Sequence, residues 1–195
     1  MCRLFETHFH IDPEDDVPAL LQEAREAGVN AFIAVASDLA ESISLSNMAS
    51  VTPDLYATAG LHPHEADSFN GGEQAWEKVC EKSDVVAVGE IGLDYHYNFS
   101  NPERQRQVFE TFLELAGRLN MPAIIHCREA YEDCLAILKA TLGPQQRFVI
   151  HSFSGTPAVA ERFINLGAVF SFNGMVTFKK ADNIRAALKA IPMDL

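Results

Sequence analysis

The sequence predicts an α/β fold, a (β/α) barrel of the triosephosphate isomerase type with seven βα units visible. Three observations carry this: short apolar runs alternate with longer amphipathic ones, most of the runs are apolar almost throughout, and polar residues collect at their C-terminal ends. In chain order the strand candidates are CRLFETHFH, NAFIAVAS, LYATAGLH, VVAVGEIG, PAIIHC, RFVIHS and AVFSFNG. Helices fit the intervals between them. One is predicted over residues 102–119, with Val108, Phe112, Leu115 and Leu119 at three-to-four spacing, Asn101 as N-cap and Pro102 in the first helical position. Thr156 followed by Pro157 opens another in the same way. Seven such units without a break in composition favour a barrel over an open doubly wound sheet, and no Gly-rich phosphate loop follows the first strand.

Composition narrows the class. A chain of 195 residues, 48% hydrophobic and 22% charged, is expected to form one domain over 1–195 with a substantial core. Its first residues lack the charged start and apolar stretch of a secretory signal. No apolar run approaches the roughly 20 residues of a membrane helix, so a cytoplasmic location without membrane contact is expected. Cys2, Cys80, Cys127 and Cys134 have neither zinc-finger spacing nor disulfide-scaffold density, and are read as reduced thiols. A net charge of −12 argues against a broad basic surface; a phosphate-bearing substrate would depend on bound cations for much of its attraction.

The polar strand ends carry the chemistry. His8 and His10 lie one residue apart on a strand and therefore share a face. His62, His64, Glu90, His126 and His151 also fall at or just after the ends of apolar runs, where parallel barrels place their active sites; only His96 among seven histidines does not. So many imidazoles and a carboxylate at one level would be poorly satisfied without metal. Imidazole and carboxylate suit zinc, manganese, magnesium or iron. Histidines from several strands around one glutamate able to bridge suggest two divalent cations about 3.5–4 Å apart.

Six segments, THFHID, GLHPHEA, AVGEIGLDYHYNFS, MPAIIHCREA, VIHSFSG and FNGMVTFKKADNIRAALKAIPMD, resemble in order the TatD family of metal-dependent deoxyribonucleases, over essentially the whole chain. The resemblance implies an amidohydrolase-related barrel that hydrolyses phosphodiester bonds in DNA by a metal-activated water, most simply as a 3′–5′ exonuclease; the oligomeric state is open, with a monomer expected if the barrel is complete. It implies His8 and His10 on one metal, Glu90 bridging, and His126 and His151 on the second, with magnesium, manganese or zinc as the ions. Glu6 stands where the family has Asp and is expected to support a ligand. His62 and His64 are expected to line the pocket or to orient the neighbouring loop.

Asp94 could join Glu90 in catalysis as acid or base, or stabilise a turn. Tyr95 is close enough to reach substrate. Arg128 could hold a phosphate, with an ion pair to Glu132 as the alternative. Lys179 and Lys180 follow the seventh strand, where barrels often bind phosphate. Cys127 is expected to pack in the core. Family members continue into an eighth strand ending in a metal-binding Asp, and this sequence ends at Leu195, so the chain is expected to be truncated and its competence is open. Two other functions compete: a non-catalytic chain that binds through an open barrel edge, and a related hydrolase of amides, lactones or small phosphate esters.

Overall fold

The computed structural model describes residues 4–12, 14–97 and 99–195. Seven strands form one parallel sheet in chain order: β1 (Leu4–Phe9), β2 (Val29–Ala34), β3 (Leu55–Ala59), β4 (Val85–Asp94), β5 (Ala123–Arg128), β6 (Phe148–His151) and β7 (Val169–Phe170). Between them run α1 (Val17–Glu26), α2 (Leu39–Ala49), α3 (Gln74–Cys80), α4 (Pro102–Arg118), α5 (Tyr131–Thr141) and α6 (Pro157–Ile164), and α7 (Asp182–Ala190) follows β7. Each strand pairs only with its sequence neighbours, as consecutive βα units require.

The sheet curls. In a flat sheet β1 and β6 would stand about 24 Å apart at ~4.8 Å per strand. Instead the ring of His8 on β1 stacks on that of His151 on β6 with centroids 3.3 Å apart. Curling creates two cores. The larger lies between sheet and helices, where α4 buries Val108, Phe109, Phe112, Leu113 and Leu115 against the sheet. The smaller lies inside the curl, where Val35, Ala87 and Ile124 meet Ile33 and Val149.

The local chemistry of the helix starts is as the sequence predicts. Asn101 Oδ1 accepts from Glu103 N at 2.9 Å with Pro102 following, and Thr156 accepts from Val159 N ahead of Pro157. Boundaries differ in two strands. β4 runs two residues past VVAVGEIG, to Asp94, because its end pairs with Cys127 and Arg128 of the long strand β5. β7 keeps only two residues of AVFSFNG, having one partner strand among the described residues. Gly92 makes β4's fit to β5 possible: its φ is 138°, and a Cβ there would run into the carbonyl oxygen of His126. Cys80, Cys127 and Cys134 are free and buried; Cys2 and Arg3 of the first strand candidate lie outside the described residues. No described helix is long and apolar enough to cross a membrane.

Candidate metal centre

The strand ends converge on Glu90. This carboxylate is only 2% exposed, on the long central strand β4. Its Oε2 lies 3.2 Å from His8 Nε2 and 3.6 Å from His10 Nε2, and its Oε1 lies 2.9 Å from His126 Nδ1. Burial pushes the Glu90 carboxyl up, but hydrogen bonds from His10, His126 and His8 outweigh it and hold the group well below the usual carboxylate range. Glu90 is therefore an anion at the floor of a cleft of about 780 Å³, walled by His10, His62, His126 and His151 and, opposite, by Ser152, Ser154 and Asn173.

Each histidine has a second nitrogen, and its partner decides which nitrogen faces the cleft. His10 Nδ1 meets Val35 O at 3.0 Å, so it carries the proton and leaves Nε2 towards Glu90. His151 Nδ1 lies 3.3 Å from Ser171 Oγ. His126 Nε2 meets Asp94 Oδ2 at 2.9 Å, leaving Nδ1 for Glu90. Burial would lower His126, yet Asp94 and Glu90 together raise it to about 9. Burial lowers His62 to about 3 and His151 to about 4, so both rings are neutral. His10 is raised, chiefly by its hydrogen bond to Glu90.

The donor set fits a divalent cation. His10 with its proton on Nδ1 presents an Nε2 lone pair 3.3 Å from His8 Nε2, so a proton or a cation must sit between those nitrogens and Glu90. Among the described residues, groups of three with ligand atoms within 4.8 Å of one another include His8, Glu90 and His151, and His62, Glu90 and His126. His8, His10 and Glu90 also have ligand atoms within 3.6 Å of one another. His151 stacks on His8 and is also the register partner of His126 on the neighbouring strand. His62 takes the place beside His126, at 3.4 Å, but its Nδ1 accepts from His64 N at 3.2 Å. A neutral His62 thus carries its proton on Nε2 and faces the cleft as a donor rather than a lone pair.

Several candidates are placed elsewhere. Asp94 is fully buried behind His126, not in the cleft wall: Oδ2 accepts from His126 and His64, and Oδ1 from the backbone of His96 and Tyr97. Burial pushes Asp94 up, but these bonds hold it far below the carboxylate range. Both alternatives offered by the sequence meet there, a turn and the site, but no free oxygen remains for acid–base work. Tyr95 points to the helices, its hydroxyl donating to Asp133 at 2.6 Å, and burial and Asp133 push it up to about 12. Glu6 accepts from the backbone N of His8 at 3.0 Å, and among the described residues His8 Nδ1 is buried without a partner.

Arg128 lines the cleft, with its guanidinium 4.6 Å from the centre of the Tyr97 ring; Glu132 pairs with Arg162 instead. Lys179 and Lys180 are exposed beyond the cleft wall, where Lys179 O accepts from Arg185 at 3.2 Å. Cys127 is buried in the main core, as expected.

The sequence reading missed Gln105. Buried on α4, its Oε1 accepts from Asp94 N at 2.8 Å, and its Nε2 donates to Asp94 O at 3.0 Å and Ser100 O at 2.9 Å, which fixes the end of β4. Its signal was there: a polar residue three before Val108, on the apolar stripe of a helix. Tyr97 and Phe99 were also missed, and an aromatic pair just past a strand end was their signal.

Residues 5–195 match the profile of the family described as TatD related DNase. The chain belongs to that family. It is 37% identical to the "3'-5' ssDNA/RNA exonuclease TatD" of Edwardsiella piscicida over 182 residues, covering 92% of this chain and 70% of that one. The "Uncharacterized metal-dependent hydrolase YabD" of Bacillus subtilis is 34% identical, over 98% of this chain and 76% of its own. Among solved structures, the TatD homologue YJJV of Escherichia coli superposes with a TM-score of 0.86 at 31% identity, covering 97% of this chain and 74% of that one. The fold is thus that of a TatD barrel without its eighth unit, and the chain is a member of a family of metal-dependent hydrolases.

Proposed function

We propose that this TatD-family chain, acting as one hydrolase domain over residues 1–195, removes nucleotides from the 3′ end of single-stranded DNA with two divalent cations, magnesium, manganese or zinc. The observation that carries this reading is the buried Glu90 carboxylate, met by imidazoles from β1 and β5 at the floor of an open cleft. The names of related exonucleases support the substrate. The net charge of −12 supports the need for cations, since the chain offers phosphate no broad basic surface. When bound, such ions supply positive charge to a phosphodiester and acidify a water.

The chain's own groups then divide the remaining work. Glu90 is shared by both halves of the site, with His8, His10 and His151 on one side and His126 on the other. Asp94 holds His126 by Nε2, so that Nδ1 faces Glu90, and is a positioning residue rather than an acid or base. His62 presents its Nε2–H to a phosphate oxygen, and Arg128 in the cleft wall offers a bidentate contact.

The test is release of mononucleotides from a 5′-labelled single-stranded oligonucleotide, with a 3′-blocked oligonucleotide, nitrophenyl phosphate and a lactone as comparators. Release from the free 3′ end, abolished by EDTA and by Glu90→Gln, is expected. No release with magnesium, manganese or zinc would overturn the reading, and faster turnover of the lactone would move it to another bond.

A further inference from the structure

Just past β4 two aromatic side chains stand in the open: Tyr97 is 49% exposed and Phe99 65%. They are stacked on each other, nearly parallel at 7° with centroids 5.4 Å apart. The Arg128 guanidinium lies over the Tyr97 ring, 4.6 Å from its centre, and lines the cleft. His64 packs edgewise on both rings, with centroids at 4.8 Å from Phe99 and 5.7 Å from Tyr97, while its Nε2 is tied at 3.0 Å to Asp94, which holds His126. An unbroken set of contacts thus joins the exposed rings to the metal centre. Their mutual stacking, Arg128 and His64 cover part of each ring, yet about half of Tyr97 and two thirds of Phe99 stay exposed beside a polar cleft, a hydration cost that these contacts offset only in part.

We propose that Tyr97 and Phe99 form a stacking platform for bases of a single-stranded nucleic acid, with Arg128 on the phosphate side. The inference rests on the nucleic-acid substrate proposed above and adds the groups that grip its bases. Aromatic faces accept any base, because every base has a π face, and they accept only unpaired ones. The guanidinium fits the same occupant twice, by stacking and by its charge towards the backbone. The platform therefore makes the chain prefer single strands while leaving it indifferent to sequence.

The test reads binding without turnover, by fluorescence anisotropy of a phosphorothioate-linked oligonucleotide with magnesium and the whole chain. Phe99→Ala is expected to weaken binding about tenfold, Phe99→Leu to leave it weak and Phe99→Trp to restore it. Replacing the bases near the 3′ end by abasic sites is expected to weaken the unmutated chain by a similar factor and Phe99→Ala hardly at all. Equal affinity for normal and abasic strands in the unmutated chain would overturn the proposal, as would rescue by Leu equal to that by Trp. Hydrolysis of an ordinary oligonucleotide, measured in parallel, separates the two readings. Turnover without a base-dependent Phe99 effect removes the platform alone; a Phe99 effect without turnover removes the nuclease reading and leaves a strand-binding surface.

Discussion

The two halves of the centre are built differently. On the β4–β5 side the histidine nitrogens have partners within the chain: His126 lies between Glu90 and Asp94, His64 is held by Asp94, and His62 Nδ1 accepts a hydrogen bond from the His64 backbone N–H. On the β1–β6 side His8 and His151 lie face to face at 3.3 Å, Glu90 is the carboxylate they share, and His8 Nδ1 is buried without a partner among the described residues. One half is thus a closed ion-pair network, able to stand without metal. The other is a set of lone pairs that only a proton or a cation can reconcile. In the metal-free chain, the first half belongs to stability and the second to affinity.

The largest effect should come from the residue that both halves share. Glu90→Gln removes the anion that faces His8, His10 and His126, and cation charge is worth several kcal/mol in a phosphoryl transition state. Nucleotide release is expected to fall at least ~1000-fold, with metal retention, read by elemental analysis after dialysis, lost as well. Retained metal with retained activity would mean that the halves do not depend on Glu90. The sharper test takes one histidine from each half. His126→Gln takes from two buried carboxylates, Glu90 and Asp94, the histidine that bridges them, a loss on the order of 3–5 kcal/mol in the metal-free chain. His8→Gln should cost the metal-free chain under ~1.5 kcal/mol while abolishing tight metal binding. Denaturant unfolding in EDTA reads the difference, and equal losses would erase the distinction between the halves.

The sequence made one half of this easier to read than the other. His8, His10, Glu90, His126 and His151 could be placed because period-two alternation and apolar runs locate strand ends, and parallel strands bring their ends together. The same logic gave the seven-strand order and the helix starts at Asn101 and Thr156. It could not say which histidine joins which, because that depends on how tightly the sheet curls: the stacking of His8 on His151 is a property of closure, not of spacing. Nor could it show that Asp94 faces inward. That follows from β4 running two residues further than its apolar stretch, an extension pinned by Gln105 from a helix eleven residues away. Tyr95 sits beside motif residues in the chain but turns away from the cleft, since adjacent positions on a strand or turn point in different directions.

Acidity gives a further way to break the comparison, again in EDTA. His126 is raised to about 9, so the stability it contributes is fully present below pH 6.5 and drains away as pH rises towards 9. His62 and His151 are lowered to about 3 and 4; the unfolded chain takes up protons on them below pH 6.5 that the folded chain refuses, so stability also falls on the acid side. Glu90 and Asp94, both depressed, add to that loss below their unfolded values of about 4.5 and 3.8. A maximum near pH 6.5 is expected from thermal unfolding at a series of pH values. His126→Gln should remove most of the fall between pH 6.5 and 9, leaving the part that the raised His10 contributes, whereas His8→Gln should leave the His126 part in place; the reverse would exchange the roles of the halves.

The smallest effects concern the groups behind the ligands. Asp94 and Ser171 hold corresponding second nitrogens, of His126 at 2.9 Å and of His151 at 3.3 Å. A charged partner fixes both the tautomer and the direction of a ring, and losing such a partner typically weakens metal binding or activity roughly 10- to 100-fold. Asp94→Asn should therefore fall in that range, with some loss of stability because His126 and His64 then lose a counter-charge. Ser171→Ala removes one long bond from a neutral hydroxyl, worth about 0.5–1.5 kcal/mol at most, and should cost a few-fold in metal affinity by calorimetric titration. If Ser171→Ala instead matched Asp94→Asn, His151 would be as dependent on its partner as His126 is. The β1–β6 half would then owe its geometry to the chain and not to the cation that it is arranged to receive.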